Sequence, residues 1–103
     1  MHLKDYQEKA KTVMLPSAYN REYLSNGLAG EVGEVASLLA KAVRDEHPVD
    51  PVLLKKELGD VLWFVAMLAD LYGLSLEDVA SANVVKLLDR QSRNKLQGSG
   101  DDR

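Results

Sequence analysis

Apolar residues recur along this chain at intervals of three and four, and alternation at two is nearly missing, so the pattern predicts helices and no sheet. A first helix is predicted from Leu3 to Met14. It stops near Leu15-Pro16, because a proline disfavours helical backbone in the residue before it. Ser17 to Asn20 form a loop, and Asn20 is the natural N-cap of a second helix from about Arg21 to Arg44. Leu24, Leu28, Val32, Val35, Leu39 and Val43 give that helix its apolar stripe. After a turn from Asp45 to Asp50, Asp50-Pro51 reads as an N-cap followed by proline at the first helical position. The third helix continues to about Tyr72, with Gly73 as its C′ residue. Leu54, Leu58, Val61, Leu62, Trp63, Phe64, Val65, Met67, Leu68 and Leu71 make it apolar almost all round, the pattern of a helix covered on several sides. Ser75 caps a fourth helix that runs to about Arg93, with Asp78 at N3.

These elements predict an all-α, four-helix bundle-like domain whose central helices are antiparallel, because the connection between them is short. A chain of 103 residues is one domain, and one further helical layer is thin cover for the third helix, so oligomerisation is expected to complete the fold. The helical domain spans residues 1–93. Residues 94–103 form a polar, glycine-rich C-terminal tail, and composition alone predicts Gln97 to Arg103 to be disordered. Gly27, Gly30 and Gly33 lie inside the second helix, each about 1 kcal/mol worse than alanine there. Their shared stripe would admit a close neighbour, whether another helix or a ligand.

Composition narrows the chemistry. Without cysteine there is no disulfide, zinc–thiolate site or thiol nucleophile. A formal charge of −3 gives no general attraction for a nucleic acid polymer or an anionic membrane. No apolar run reaches transmembrane length and the N-terminus does not read as a signal peptide, so a cytoplasmic protein is expected.

The chemistry-bearing residues are two carboxylate pairs, Glu31 with Glu34 and Glu57 with Asp60. Members of each pair lie one helical turn apart on nearly the same face, where like charges repel. Such a pair is ordinary on a solvated face. Two pairs on adjacent, otherwise apolar helices call for neutralisation by protons or a cation. Counting from the turn puts Glu34 and Asp60 at about the same height, with Glu31 and Glu57 one turn to either side. Hard oxygen ligands suit Mg2+, or Mn2+ in its place, and magnesium commonly shares its ligands with phosphate. A di-iron bundle would need Glu-x-x-His, and neither His2 nor His47 follows a glutamate by three. Phe64 continues the stripe of Glu57 and Asp60 and could stack on a base; Trp63, Tyr6, Tyr19 and Tyr23 are the other aromatic candidates.

Gly27-Leu28-Ala29-Gly30-Glu31-Val32-Gly33-Glu34-Val35, followed by Lys56-Glu57-Leu58-Gly59-Asp60-Val61-Leu62, resembles the signature of MazG-like nucleotide pyrophosphohydrolases, in the all-α nucleoside triphosphate pyrophosphatase superfamily. Tyr6-Gln7 with Thr12, Asn83 to Leu87 with Arg90, and the Gly98 to Arg103 ending resemble further parts of small members. The resemblance implies hydrolysis of a (deoxy)nucleoside triphosphate between its α and β phosphates, giving monophosphate and pyrophosphate. It implies Glu31, Glu34, Glu57 and Asp60 as magnesium ligands and catalytic residues, one of the glutamates helping to deprotonate the attacking water. Asn83, Lys86 and Arg90 would then face the phosphates, where a donor and fixed positive charge are needed. A homodimer or homotetramer is the expected assembly. A non-catalytic nucleotide- or protein-binding helical module, and a related pyrophosphohydrolase acting on a phosphoribosyl nucleotide, are the alternatives.

Overall fold

A computed structural model describes residues 1–103 as four α-helices and one 3-10 turn, with no strand. Helix α1 (Leu3–Lys11) leads through the turn Pro16–Ala18 into α2 (Arg21–Arg44), followed by α3 (Pro51–Leu71) and α4 (Leu76–Ser92). The polar residues at the starts do the capping that their types allow. Asn20 Oδ1 accepts from Tyr23 N at 2.8 Å, Asp50 Oδ1 from Val52 N at 2.9 Å, and Ser75 Oγ from Asp78 N at 3.3 Å.

The three long helices end alike. The residues after the C-caps, Glu46, Gly73 and Asn94, have φ of 54°, 70° and 57°. In each, the next amide reaches back to the third-last helical carbonyl: His47 N to Ala42 O, Leu74 N to Ala69 O, and Lys95 N to Arg90 O. This paired 6→1 and 5→2 closure satisfies the last carbonyls and reverses the chain.

Helices α2 and α3 form an antiparallel hairpin. Leu24, Leu28, Glu31, Val35, Leu38 and Ala42 are its inward-facing three-four series on α2, and Leu54, Glu57, Val61 and Val65 the series on α3. The densest core lies at one end, where Leu24, Ala66, Met67 and Leu76 are buried among Tyr6, Met14, Trp63 and Leu71. Gln7 locks that end. Its buried amide donates to Ala66 O and Leu74 O, both at 3.1 Å, and its Oε1 accepts from Leu76 N at 2.9 Å. One side chain thereby ties α1, the end of α3 and the first turn of α4.

The molecule is open elsewhere. The chain turns by 104° from α3 to α4, so α4 runs across the hairpin's end instead of back along it. The radius of gyration is 16.3 Å, against about 13 Å for a compact chain of this length. Only nine residues are buried, so α3 is not covered on several sides within one chain: Val52, Leu53, Leu58 and Leu62 all face outward. No single helix is long and apolar enough to cross a membrane.

Candidate active site

The seam of the α2–α3 hairpin is apolar except where Glu31 and Glu57 replace a core residue in the inward series. Both are half-buried, and Oε2 of each is shielded from solvent without a hydrogen-bond partner. Asp60 joins them from the exposed rim, and carboxylate oxygens of Glu31, Glu57 and Asp60 lie within 4.8 Å of one another. Glu34 is also at the rim, against Glu31 and Glu57. The short turn brings the four acids to one patch, but the counted register is off by about a turn: Glu31 and Glu57, counted two turns apart, meet directly and with Asp60 lie within reach of a common ion.

The electrostatics follow from that crowding. Desolvation first, and then the charges of Glu34, Asp60 and Glu57, push the Glu31 carboxyl above the ordinary glutamate value. Its neighbour Glu34 first, and then desolvation, push Glu57 up as well. Shielded, unpartnered carboxylate oxygens are costly unless something positive meets them. Three carboxylate oxygens this close together could converge on one small divalent cation. The donor set is all hard oxygen, so these residues fit a divalent cation.

A groove of about 680 Å3 opens beside the acids, lined by Ser17, Asn20, Tyr23, Asn26, Gly30 and Phe64 together with Glu31 and Glu34. Phe64 forms one wall because Gly27 lets its ring lie directly on the α2 backbone; a Cβ there would sit less than 3.0 Å from three ring atoms. The ring is also held edge-on by Trp63, with centroids 5.0 Å apart, and flanked by Tyr23 at 6.2 Å. Gly30 and Gly33 have nothing within 4 Å of a built Cβ, so the three glycines do not share one role within the chain.

The other aromatic candidates have structural partners. Trp63 Nε1 donates to Ala10 O at 3.1 Å, and Tyr6 packs on the core. Tyr19 Oη donates to Asp70 Oδ2 at 2.6 Å, where Lys11 Nζ also pairs at 2.8 Å. That triad anchors the turn carrying Ser17 and Asn20 into the groove wall. Sequence reasoning missed Ser17, Asn20 and Asn26 as groove residues, since their placement depends on where α1 docks.

On α4, Asn83, Lys86 and Arg90 do not line the groove of their own chain. Lys86 and Arg90 instead hold Asp101 from the C-terminal tail. The tail that composition predicts to be disordered is folded back on α4.

Comparisons with known proteins place the acids inside a family match. The MazG nucleotide pyrophosphohydrolase domain family matches residues 20–94, which include all four acids. Gene 37 protein of Mycobacterium phage L5 is 39% identical over the whole of both chains. An uncharacterized protein of Bacillus subtilis, YvdC, is 54% identical over 74 residues, covering 59% of this chain and 70% of that one. No solved structure matches the chain.

Proposed function

The chain belongs to the MazG nucleotide pyrophosphohydrolase family, and from that premise we propose that it hydrolyses a (deoxy)nucleoside triphosphate between the α and β phosphates with the help of Mg2+, or Mn2+ in its place. The observation that carries the reading is the pair of shielded, unpartnered oxygens of Glu31 and Glu57, with Glu31 also lining the groove walled by Phe64 and Tyr23. Glu31, Glu34, Glu57 and Asp60 would hold the metal. When bound, it neutralises charge growing on phosphoryl oxygens and lowers the pKa of coordinated water.

The chain's own groups do the rest. The groove's aromatic wall takes the base, Phe64 supplying the stacking face. One of the clustered glutamates takes a proton from the attacking water. Water adds across the α–β anhydride, the bridging P–O bond breaks, and the bridging oxygen leaves with pyrophosphate.

A homodimer is the smallest assembly we propose. The chain exposes 7556 Å2, against about 5,800 Å2 for a compact monomer of 11.4 kDa. That excess exceeds the roughly 800 Å2 per partner of a standard interface. The uncovered faces are apolar: Val32, Leu39 and Val43 on α2, Leu58 and Leu62 on α3, and Val84, Val85 and Leu88 on α4. Asn83, Lys86 and Arg90, outside their own chain's groove, would meet substrate phosphates across such an assembly. A cytoplasmic location, where nucleoside triphosphates and magnesium coexist, fits this activity.

A panel of canonical and modified nucleoside triphosphates, with and without magnesium and with product analysis, tests the reading. Monophosphate and pyrophosphate are expected, and Glu34→Gln or Asp60→Asn should abolish turnover with helicity retained. Release of diphosphate and inorganic phosphate would reassign the bond. Turnover confined to a phosphoribosyl nucleotide would reassign the substrate, and binding without product would leave a non-catalytic module.

A further inference from the structure

The C-terminal segment is built against α4 by more contacts than its composition suggests. Arg103 acts as a clip: Nη1 donates to Gly100 O at 2.7 Å, Nε to Lys95 O at 3.2 Å, and Nη2 to Leu96 O at 3.2 Å. Arg93 Nη2 donates to the main-chain oxygen of Arg103 at 2.7 Å. Gly98 and Gly100, with φ of 106° and 90°, make reversals that a side chain would strain. The result is that Asp101 sits over Lys86 and Arg90.

The three side chains have unequal exposure. Arg90 is the floor, 6% exposed; Lys86 is a wall at 39%; Asp101 is 82% exposed, at the mouth. Arg90 Nη2 donates to both the main-chain oxygen and Oδ1 of Asp101, and Lys86 Nζ reaches the same Oδ1 at 2.9 Å. A charged guanidinium this deep needs an anion, and the segment supplies one. Lys86, and then Arg90, hold the Asp101 carboxyl below its ordinary value.

We propose that Asp101 is a built-in occupant of an anion site formed by Lys86 and Arg90, and that a phosphate-bearing ligand enters this site by displacing the segment 98–103. Both cations meet a single carboxylate oxygen, whereas a phosphate offers several oxygens at once and can engage the guanidinium through two parallel bonds. The Lys86 arm, between two solvent-accessible side chains, is weakly held, and the Arg90 guanidinium needs an anion but not this particular one. The segment would thus keep the site closed until phosphate arrives. That the natural ligand is the nucleotide of the family reaction rests on the reading above; the displacement itself does not.

The test is a titration of full-length, metal-free protein with inorganic pyrophosphate. Calorimetry follows binding, and amide NMR relaxation follows the mobility of residues 98–103, against chloride at equal ionic strength. Saturating pyrophosphate should raise mobility across the segment. Asp101→Asn should show a mobile segment without ligand and bind on the order of tenfold more tightly, the effect of one competing charge-assisted contact. Gly100→Ala, which strains the reversal without altering charge, should shift both readouts the same way, and Lys86→Met should lose the binding. Unchanged segment mobility at saturation, or no gain in affinity in either loosened variant, overturns the proposal. Asp60→Asn should respond like the natural chain. Segment release without nucleotide hydrolysis would uphold the displacement and sink the enzymatic reading; hydrolysis without release would do the reverse.

Discussion

Replacing Gly27 by alanine sets two opposed effects against each other at one atom. Removing a glycine from a helix interior favours the fold by about 1 kcal/mol. Against it, the new Cβ falls less than 3.0 Å from Cε1, Cζ and Cδ1 of Phe64. The ring has little room to yield, with Trp63 edge-on at an interplanar angle of 87° on one side and Tyr23 on another. Overpacking of this kind costs about 1–3 kcal/mol, and losing an aromatic pair about 0.5–1.5 kcal/mol more. The net expectation is destabilisation by about 2 kcal/mol, a fall in Tm of roughly 10 °C for a domain this size.

Urea unfolding followed by far-UV circular dichroism measures the loss. Trp63, the only tryptophan, reports the local repacking by fluorescence. Two controls isolate the cause. Gly30→Ala meets no atom within 4 Å and should gain the full 1 kcal/mol or so, while narrowing the groove and raising KM. In a Phe64→Leu background, Gly27→Ala should change from destabilising to neutral or stabilising, a coupling of about 2 kcal/mol or more. If Gly27→Ala stabilises as much as Gly30→Ala in both backgrounds, the Phe64 wall is not where the structure has it.

Three further outcomes are expected. The raised carboxyls of Glu31 and Glu57 mean that their ionised forms burden the fold, so their favourable contribution is complete below the unfolded glutamate pKa of about 4.3 and is lost as pH rises through their higher folded values. Metal-free protein should therefore lose Tm as pH rises above the unfolded glutamate value, relative to a Glu31→Gln/Glu57→Gln variant, with saturating Mg2+ or Mn2+ closing the gap at neutral pH; equal slopes in scanning fluorimetry would refute this. Gln7→Ala leaves Leu76 N–H and Leu74 O without their side-chain partner in a part-buried joint, which should cost about 2–3 kcal/mol in urea unfolding; a loss under about 0.5 kcal/mol would remove Gln7 as the lock. Glu46→Gly relieves a left-handed residue at the end of α2 and should stabilise by about 0.5–1 kcal/mol, read as a higher Tm.

The parts of this fold that depend on short-range chemistry were legible in the chain. Asn20, Asp50 and Ser75 cap where their side chains allow, and Gly73 takes the left-handed turn. The equivalent turns at Glu46 and Asn94 are less visible, because nothing but the tertiary path forces a non-glycine residue there. That the acids of α2 and α3 gather could be counted, since a short turn fixes two antiparallel helices to within about a turn, but the direct meeting of Glu31 with Glu57 could not, because it depends on the exact register. What periodicity cannot encode is the docking of α1 across the joint of α3 and α4. Gln7, Tyr19 and Asp70, and through them Ser17 and Asn20, take their roles from that docking. The Gly98 to Arg103 segment misled for a related reason: its composition counts as polar and flexible, while its order comes from pairing with cations on α4.

The openness of the chain and the polarity of its seam have a common physical origin. A hairpin whose inward series includes Glu31 and Glu57 cannot close its seam with apolar contact at mid-height, and its stability must come from somewhere else. The buried cluster of Leu24, Ala66, Met67 and Leu76 lies at one end, where α1 and α4 converge and Gln7 joins them. The acids are left in the looser middle, beside a groove and within reach of solvent and ligand. Side chains there can rearrange around a bound ion without disturbing the packed end. The same division leaves apolar faces of α2, α3 and α4 uncovered, because a 104° turn that lets α4 complete the core cannot also lay it along the hairpin. A second hairpin would be a cover with matching length and polarity, so the polar seam and the proposed dimer would answer one constraint: a short chain cannot both surround its charged site and enclose its own core.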